Sequence, residues 1–343
     1  MSFQGWISLP RSGRGRTHVP GLLQGFEGLA RLCRLLEPNL LAALEYCQPH
    51  TENRAGIYLS LPSTMPEIEG DASNEISKFA GELNTDCVAS TNAVSCASMI
   101  LGRIHSFTSR SNRPGLRYVT TSGHTGFSEA IISAVNDIRN GDVSQAIVGG
   151  CDSLVEERVL KQLGDAGRLK GPDLAVGLEP GEASAFVVIR RNDSRSDSSV
   201  LAYVEGFSQS REPAPFGAGE PPTGLGHFES INQLAISMNR PEDFLGWIIH
   251  DRNGEVYRAK DWGMTYTRLG EFYASMRKSF EWSPASTFGD TGAASGGVAL
   301  CMAVRAFNRG YNPYSRAIIS SASDCGGRSA LQIGSNSVED SNG

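Results

Sequence analysis

Apolar and polar residues follow two rhythms along this chain, and the clearest change between them lies from Leu116 to Ser153. Leu116 to Thr121 is β-branched and aromatic, which predicts a strand, and Ser122, Gly123, Thr125 and Gly126 then make a small-residue elbow. From there Phe127, Ala130, Ile131, Ala134, Val135 and Ile138 recur at three-and-four spacing. That period predicts a helix buried along a broad face. Asn140-Gly141-Asp142 stops the helix, and Ala146 to Val148 is a short apolar run ending at Gly149-Gly150.

Ser286 to Gly310 echoes this stretch, with a Thr-Gly step opening a second apolar helix that ends at Arg309-Gly310. Gly292, Ala293, Ala294, Ser295, Gly296 and Gly297 leave its first turns almost without side-chain bulk, as a close-lying backbone requires. The pair predicts an internal duplication whose central helices pack together.

The same pattern orders the rest of the chain. Residues 1 to 20, rich in Gly, Arg and Pro, are expected to be irregular; Gly21 to Tyr46 predicts two short amphipathic helices around Pro38, and Gly56 to Leu61 a strand. Residues 62 to 80 are polar and punctuated by Pro and Gly, and Ala89 to Ile104 reads as helix. Arg190 to Ser198, charged and serine-rich, is the best boundary, dividing the chain into halves at 1–195 and 196–335 with a disordered acidic tail at 336–343. The second half opens with a strand to Gly206, and the Pro/Gly-rich Arg211 to Phe228 follows as a long surface loop. A helix at Glu229–Met238, a strand at Leu245–His250 and a helix around Tyr266–Phe280 complete it.

Composition narrows the function classes. With 40% apolar and 20% charged residues in 343, the chain is an ordinary globular protein large enough for two halves. A net charge of -6 without a basic cluster argues against nucleic-acid binding. Seven cysteines without a C-x-x-C pair read as reduced buried thiols in a cytoplasmic protein, not as disulfides or a zinc site. No apolar run reaches the roughly 20 residues of a membrane span, and the first residues lack a signal-peptide core.

Several motifs together carry a resemblance. Ser98 to Ser153, with its helix leading to Pro114-Gly115 and its NGDVSQAIVGGCDS exit, resembles the N-terminal core of β-ketoacyl synthases, condensing enzymes of the thiolase fold. Gly177 to Arg191 resembles the strand pair closing their first half. Ser199 to Ser210, Phe288 to Gly297 and Ala322 to Ile333 resemble the opening strand, small-residue helix and last Gly-Gly hairpin of their second half. The resemblance runs from roughly Arg54 to Ile333 and implies a five-layered αβαβα fold of two duplicated halves. The family's opening strand is weak or missing in this sequence.

The resemblance also implies a thiol at the elbow and two histidines in the second half, and the chain has none of them in place. Counted back from Asn140-Gly141-Asp142 the cysteine position falls on His124; counted forward from Pro114-Gly115 it falls nearer Ser122. The histidine positions carry Asp251, with His250 one residue earlier and on the opposite strand face, and Asp290. An ionised carboxylate cannot donate a hydrogen bond to a developing oxyanion. An alternative is a new hydrolytic site with Ser122 as nucleophile, His124 or His250 as base and Asp251 or Asp290 as orienter, although a serine at a helix start is more often a cap. Cys325 stands where thiolases have a second cysteine, but a small buried cysteine beside Gly326-Gly327 is explained by packing alone, which is the favoured reading. His227 reads as a loop or surface residue, as do His18, His50 and His105, and Asp251-Arg252-Asn253-Gly254 as a β-turn rather than a calcium loop.

The expectation is thus a catalytically degenerate thiolase-like protein, without cofactor or metal, that acts by binding, with an acyltransferase, condensing enzyme or hydrolase as the alternative. Thiolase-like proteins lacking the cysteine are associated with bacterial type VI secretion effector clusters, which implies an adaptor role. The expected partners are a second copy joined through the Leu116–Thr121 strand, or another protein such as a secreted effector or a second adaptor. An acyl ligand in the pocket is a further possibility. The Arg211–Phe228 loop, with Tyr257 and Trp262, is the expected contact surface.

Overall fold

The computed structural model describes residues 2–8, 23, 25–47, 55–63, 91–105, 114–172, 174–191, 200–238 and 246–336. Five strands belong to the first half: β1 Ser2–Ser8, β2 Ala55–Ser60, β3 Gly115–Thr120, β4 Gln145–Ser153 and β5 Glu182–Arg190. Five belong to the second: β6 Ala202–Arg211, β7 Trp247–His250, β8 Phe280–Trp282, β9 Arg316–Ala322 and β10 Gly327–Ser335. They hydrogen-bond in the order β3-β2-β4-β5-β1-β6-β10-β9-β7-β8.

Read inward from its edge, each half runs third, second, fourth, fifth, first strand. In each, the outer three strands are parallel and the next two antiparallel. The duplication expected from the sequence is therefore present in the topology. Two residue pairs between β1 and β6, Ser2 with Tyr203 and Phe3 with Ala202, join the halves.

Among the described residues the α-helices longer than one turn are α1 Gly28–Tyr46, α2 Thr91–His105, α3 Gly126–Asn140, α4 Glu157–Asp165, α5 Leu225–Met238, α6 Val256–Phe272 and α7 Ser295–Arg309. Strand alternation sorts them into layers, because successive side chains leave opposite faces of a sheet. On β4 and β5, Ile147 and Val188 face α1 and α2, while Ala146, Val148 and Val187 face Phe127 and Val298 of the central helices. On β7 and β9, Ile249 and Ile319 join that central core, whereas Ile248 and Ile318 pack outward with Leu234 and Leu269 of α5 and α6. The result is five layers, αβαβα.

The central helices end alike, α3 at Gly141 (φ 83°) and α7 at Gly310 (φ 70°), each in the left-handed conformation that favours glycine at a cap. The small residues at and before the start of α7 are accounted for in two ways. The Ala293 carbonyl oxygen passes so close to Gly150 of β4 that a Cβ there would lie 2.7 Å from it, a backbone approach of the expected kind. A Cβ on Gly296 or Gly297 would instead meet the side chain of Phe127, at 3.0 and 2.8 Å.

Several expectations change. Residues 2–8 form a strand, so the opening strand is present. Gly28 to Tyr46 is one helix containing Pro38, because Leu32, Leu35, Leu36, Leu40, Ala43 and Leu44 bury one continuous stripe on both sides of the proline. Helix α5 starts at Leu225 and shortens the preceding loop to 212–224. Helix α6 starts ten residues before Tyr266, and residues 280–282 are strand. Its buried stripe is Arg258, Asp261, Trp262, Thr265 and Leu269, and the two charges hide the period from a hydrophobicity reading. Residues 192–199 at the boundary between halves, the tail from 337, Cys87, His18 and His50 lie outside the described residues, and so does the side chain of His105.

Candidate functional site

Four connections converge where the halves meet: the turn Gly123–Thr125 before α3, the segment Asp290–Ala294 before α7, the loop 251–255 between β7 and α6, and the β9–β10 turn. His124 Nε2 lies 2.8 Å from Asp290 Oδ1, and His124 Nδ1 lies 3.1 Å from Arg258 Nη2. Arg258 also donates to Asp251 Oδ2 (3.2 Å), Asp324 Oδ1 (3.1 Å) and the Ala322 carbonyl (2.7 Å). Asn253 Nδ2 donates to Asp290 Oδ2 (2.6 Å) and Glu255 Oε2 (2.9 Å). Arg168 closes the ring, paired with Glu255 at 2.6 Å and Asp324 at 2.8 Å. Two guanidinium groups and four carboxylates thus surround one imidazole.

Burial alone would raise the Asp290 carboxyl, but His124, Arg258 and Asn253 overrule it and hold its pKa well below the usual carboxylate range. For His124, burial and the Arg258 charge oppose a proton while Asp290 and Asp251 favour it; the carboxylates prevail and its pKa lies above the ordinary value. In the neutral ring Nε2–H donates to Asp290 and Nδ1 accepts from Arg258, which engages both nitrogens. Burial also pushes Asp152 up to about 7, and this side chain accepts the Ala293 N–H and so ties β4 to the turn before α7. A crevice of about 10 Å³ against Asp251 and Asp290 is the size of a single water site.

In sequence, no family model and no curated protein matches the chain. Solved structures do. The ketosynthase from module 6 of the bacillaene synthase of Bacillus subtilis 168 is 15% identical with a TM-score of 0.66, over 89% of this chain and 59% of that one. The fold is that of the thiolase-like ketosynthases. The ketosynthase ApeO in complex with its chain length factor ApeC, from Xenorhabdus doucetiae, is 17% identical with a TM-score of 0.68, over 96% and 90% of the two chains. The type II polyketide synthase complex AntDE:AntF, an acyl-carrier protein with its ketosynthase bound to the hexaketide, is 12% identical with a TM-score of 0.68, over 96% and 91%. The chain thus spans less than two thirds of the bacillaene ketosynthase and about nine tenths of the others.

Within this ketosynthase fold, His124, Asp251 and Asp290 come together through Arg258, which the sequence reading did not single out. Its signal was a charged residue on the buried stripe of α6. Ser122 faces elsewhere. Its Oγ lies 2.9 Å from Thr120 Oγ1, which donates to Glu129, and its carbonyl accepts from the Thr125 and Ser323 hydroxyls. His250 points to the other strand face, with Nε2 3.2 Å from Glu281. Cys33, Cys47, Cys96, Cys151 and Cys301 are buried free thiols as expected, but Cys325 is not: it is exposed at the hairpin tip, so burial by packing does not explain it.

Two expectations about this region are corrected. His227 is not a surface residue; it is buried on α5, with Nδ1 2.9 Å from Ser320 Oγ and its ring edge-on to Trp262. Trp262 is itself only 3% exposed, its indole N–H donating to Glu281, so it offers no surface to a partner. The loop 212–224 does keep Tyr257, whose hydroxyl donates to the Ala214 carbonyl, and Phe216 lies under the Arg168 guanidinium at 4.4 Å. Glu212 fastens both ends of the loop by accepting from Thr223 and from the Gly226 N–H. The loop therefore folds back onto the ion cluster. Among the described residues no group of three or more His, Cys, Asp or Glu side chains is arranged to hold a metal ion, and no helix is long and apolar enough to cross a membrane.

Proposed function

We propose that this thiolase-like protein works by binding a protein partner and not by acyl chemistry. The observation that carries the reading is the ion cluster itself. A condensing site needs a polarisable nucleophile, proton donors aimed at a developing oxyanion, and room for a thioester. At the matching positions stand His124 with both nitrogens engaged, Asp251 and Asp290 as carboxylates, and a crevice of about 10 Å³. Ser122 has its hydroxyl against Thr120 and no contact with His124, which speaks against the hydrolase alternative.

For the partner, the edge strand β3 is the leading feature. Among the described residues it ends one side of the ten-stranded sheet, and an edge strand favours pairing with another chain. A second copy related by a two-fold axis would satisfy it, making a homodimer; another thiolase-like chain would satisfy it equally, and a ketosynthase with its chain length factor is a complex of two different chains. In an adaptor role the partner is a secreted effector, with delivery by a type VI system as the setting that the sequence resemblance implies.

The test has two arms. Sedimentation at micromolar concentration should give a dimer, alone or with a co-expressed protein encoded beside it; a lone monomer with no co-purifying neighbour would remove the partner claim. Incubation with malonyl and acyl thioesters should leave the intact mass unchanged. An acyl adduct mapped to Ser122, His124 or Cys325 would restore the enzyme reading.

A further inference from the structure

Helix α7 passes from the closed ion cluster at its first turn to an open groove of about 680 Å³ along its later turns. The groove shares no side chain with that cluster. Its apolar floor is Leu201, Trp282, Phe288 and Met302, all partly buried against the central core. Tyr311 forms a wall, its ring within 25° of parallel to Trp282 at 6.4 Å. Both size and lining suit a small molecule rather than a water-filled dent.

The polar groups around the floor decide what kind of molecule. Glu281 is engaged three times over, by His250, Arg252 and the Trp262 indole N–H, and with burial opposing, those partners hold its carboxyl below the usual range. The Ser283 and Ser286 hydroxyls donate to the Arg252 and Ser283 carbonyls. Arg305 and Asn308, one turn apart on the exposed face of α7, have no partner among the described residues. So every acceptor charge in the groove is committed, and one guanidinium is free.

We propose that this groove binds a small amphipathic carboxylate, an aryl or acyl acid whose apolar body covers Trp282, Phe288 and Met302 and whose head group pairs with Arg305. A guanidinium fork matches a carboxylate in bidentate geometry, and Asn308 can donate a further hydrogen bond to it. A polyphosphate would need more than this one cation, and a cationic ligand would be repelled by it. The inference stands apart from whether the ion cluster is silent.

The experiment is calorimetric titration of the full-length protein with decanoate and with 2-naphthoate, each paired with its neutral alcohol. One equivalent of at least one acid binds, and the tighter of the two identifies an acyl or an aryl site. The matching alcohol binds about tenfold more weakly, and Arg305→Gln weakens the acid by a similar factor, since each tenfold is one lost ion-paired hydrogen bond. Thr287→Trp, at an exposed position on the rim, fills the groove and abolishes binding. No saturation by either acid up to about 1 mM, equal binding of acid and alcohol, or binding indifferent to both variants overturns the proposal. Circular dichroism of each variant shows that the fold is intact, so a lost signal reports the groove.

Discussion

Arg258, in the ion cluster before helix α7, and Arg305, on the exposed face of that helix, answer the cost of a cation in opposite ways. Arg258 is 4% exposed and touches three carboxylates or carbonyls and an imidazole; Arg305 lies open to solvent at the rim of the groove. Around Arg258 the space is spent on pairing, and the crevice against its partner Asp251 measures about 10 Å³; beside Arg305 about 680 Å³ remains. Burying a charge demands partners on every side, and those partners consume the room a ligand would need. In this molecule the ion cluster fills the junction of the two halves, and the larger volume lies along the later turns of α7.

The sharpest way to break that contrast is Arg258→Met. Deleting one partner of a buried ion pair leaves the others uncompensated, at a cost of about 3–5 kcal/mol. Asp251, Asp324 and His124 would all lose a donor at once. The urea midpoint should fall accordingly, and a change under about 1 kcal/mol would mean that water already screens the cluster.

Asp290→Asn is expected to cost about 1.5–3 kcal/mol, the worth of hydrogen bonds to a charged group. Its pH dependence has a definite sign. The depressed Asp290 contributes stability that is present above the unfolded carboxylate value, about 3.9, and is lost as pH falls below it. The raised His124 contributes stability that is present below the unfolded imidazole value, about 6.5, and is lost as pH rises through its higher folded value. The gap between the wild-type protein and this variant should therefore be widest between about pH 4 and 6.5 and narrow on both sides. A gap that grows steadily above pH 7 would reverse the assignment for His124.

How much of this was legible beforehand depends on where the charges went. The strand, elbow, helix and strand of 115–153 followed from a clean 3.6-residue period and a glycine cap, and the second half repeats them, so the duplication could be read, while the five layers were implied by the family resemblance. The first ten residues of helix α6 could not be read, because Arg258 and Asp261 occupy its buried face and interrupt the apolar period. The single helix through Pro38 was also hidden, since tertiary burial overrode a local breaker. At the site, His124, Asp251 and Asp290 were found by resemblance to a family motif. Arg168, Asn253, Asp324 and Arg258 were not, because their partners lie up to 156 residues away and pairing at that range leaves no local pattern.

The loop 212–224 offers an intermediate case. Phe216 is 37% exposed yet lies under Arg168 and edge-on to Tyr257 at 5.4 Å. Phe216→Ala should cost about 1 kcal/mol, the sum of a modest cation–π and an aromatic edge contact at a half-open site. Limited proteolysis should then cut within 212–224 faster while the global urea midpoint moves little. Equal cleavage rates would show that Glu212 alone fastens the loop.

The smallest effect is expected at Arg305, and its smallness is the informative part. The side chain is exposed and pairs with nothing among the described residues, so Arg305→Gln removes no folded-state contact and leaves no orphaned partner. Surface changes of this kind lie within about 0.5 kcal/mol. The same chemical change, loss of one guanidinium, thus spans nearly the whole range of single-site effects according to whether carboxylates are packed against it. A midpoint shift above about 1 kcal/mol for Arg305→Gln would show a partner for this arginine outside the described residues. Arg305 would then be a structural residue like Arg258, and the groove would have no free charge to offer a ligand.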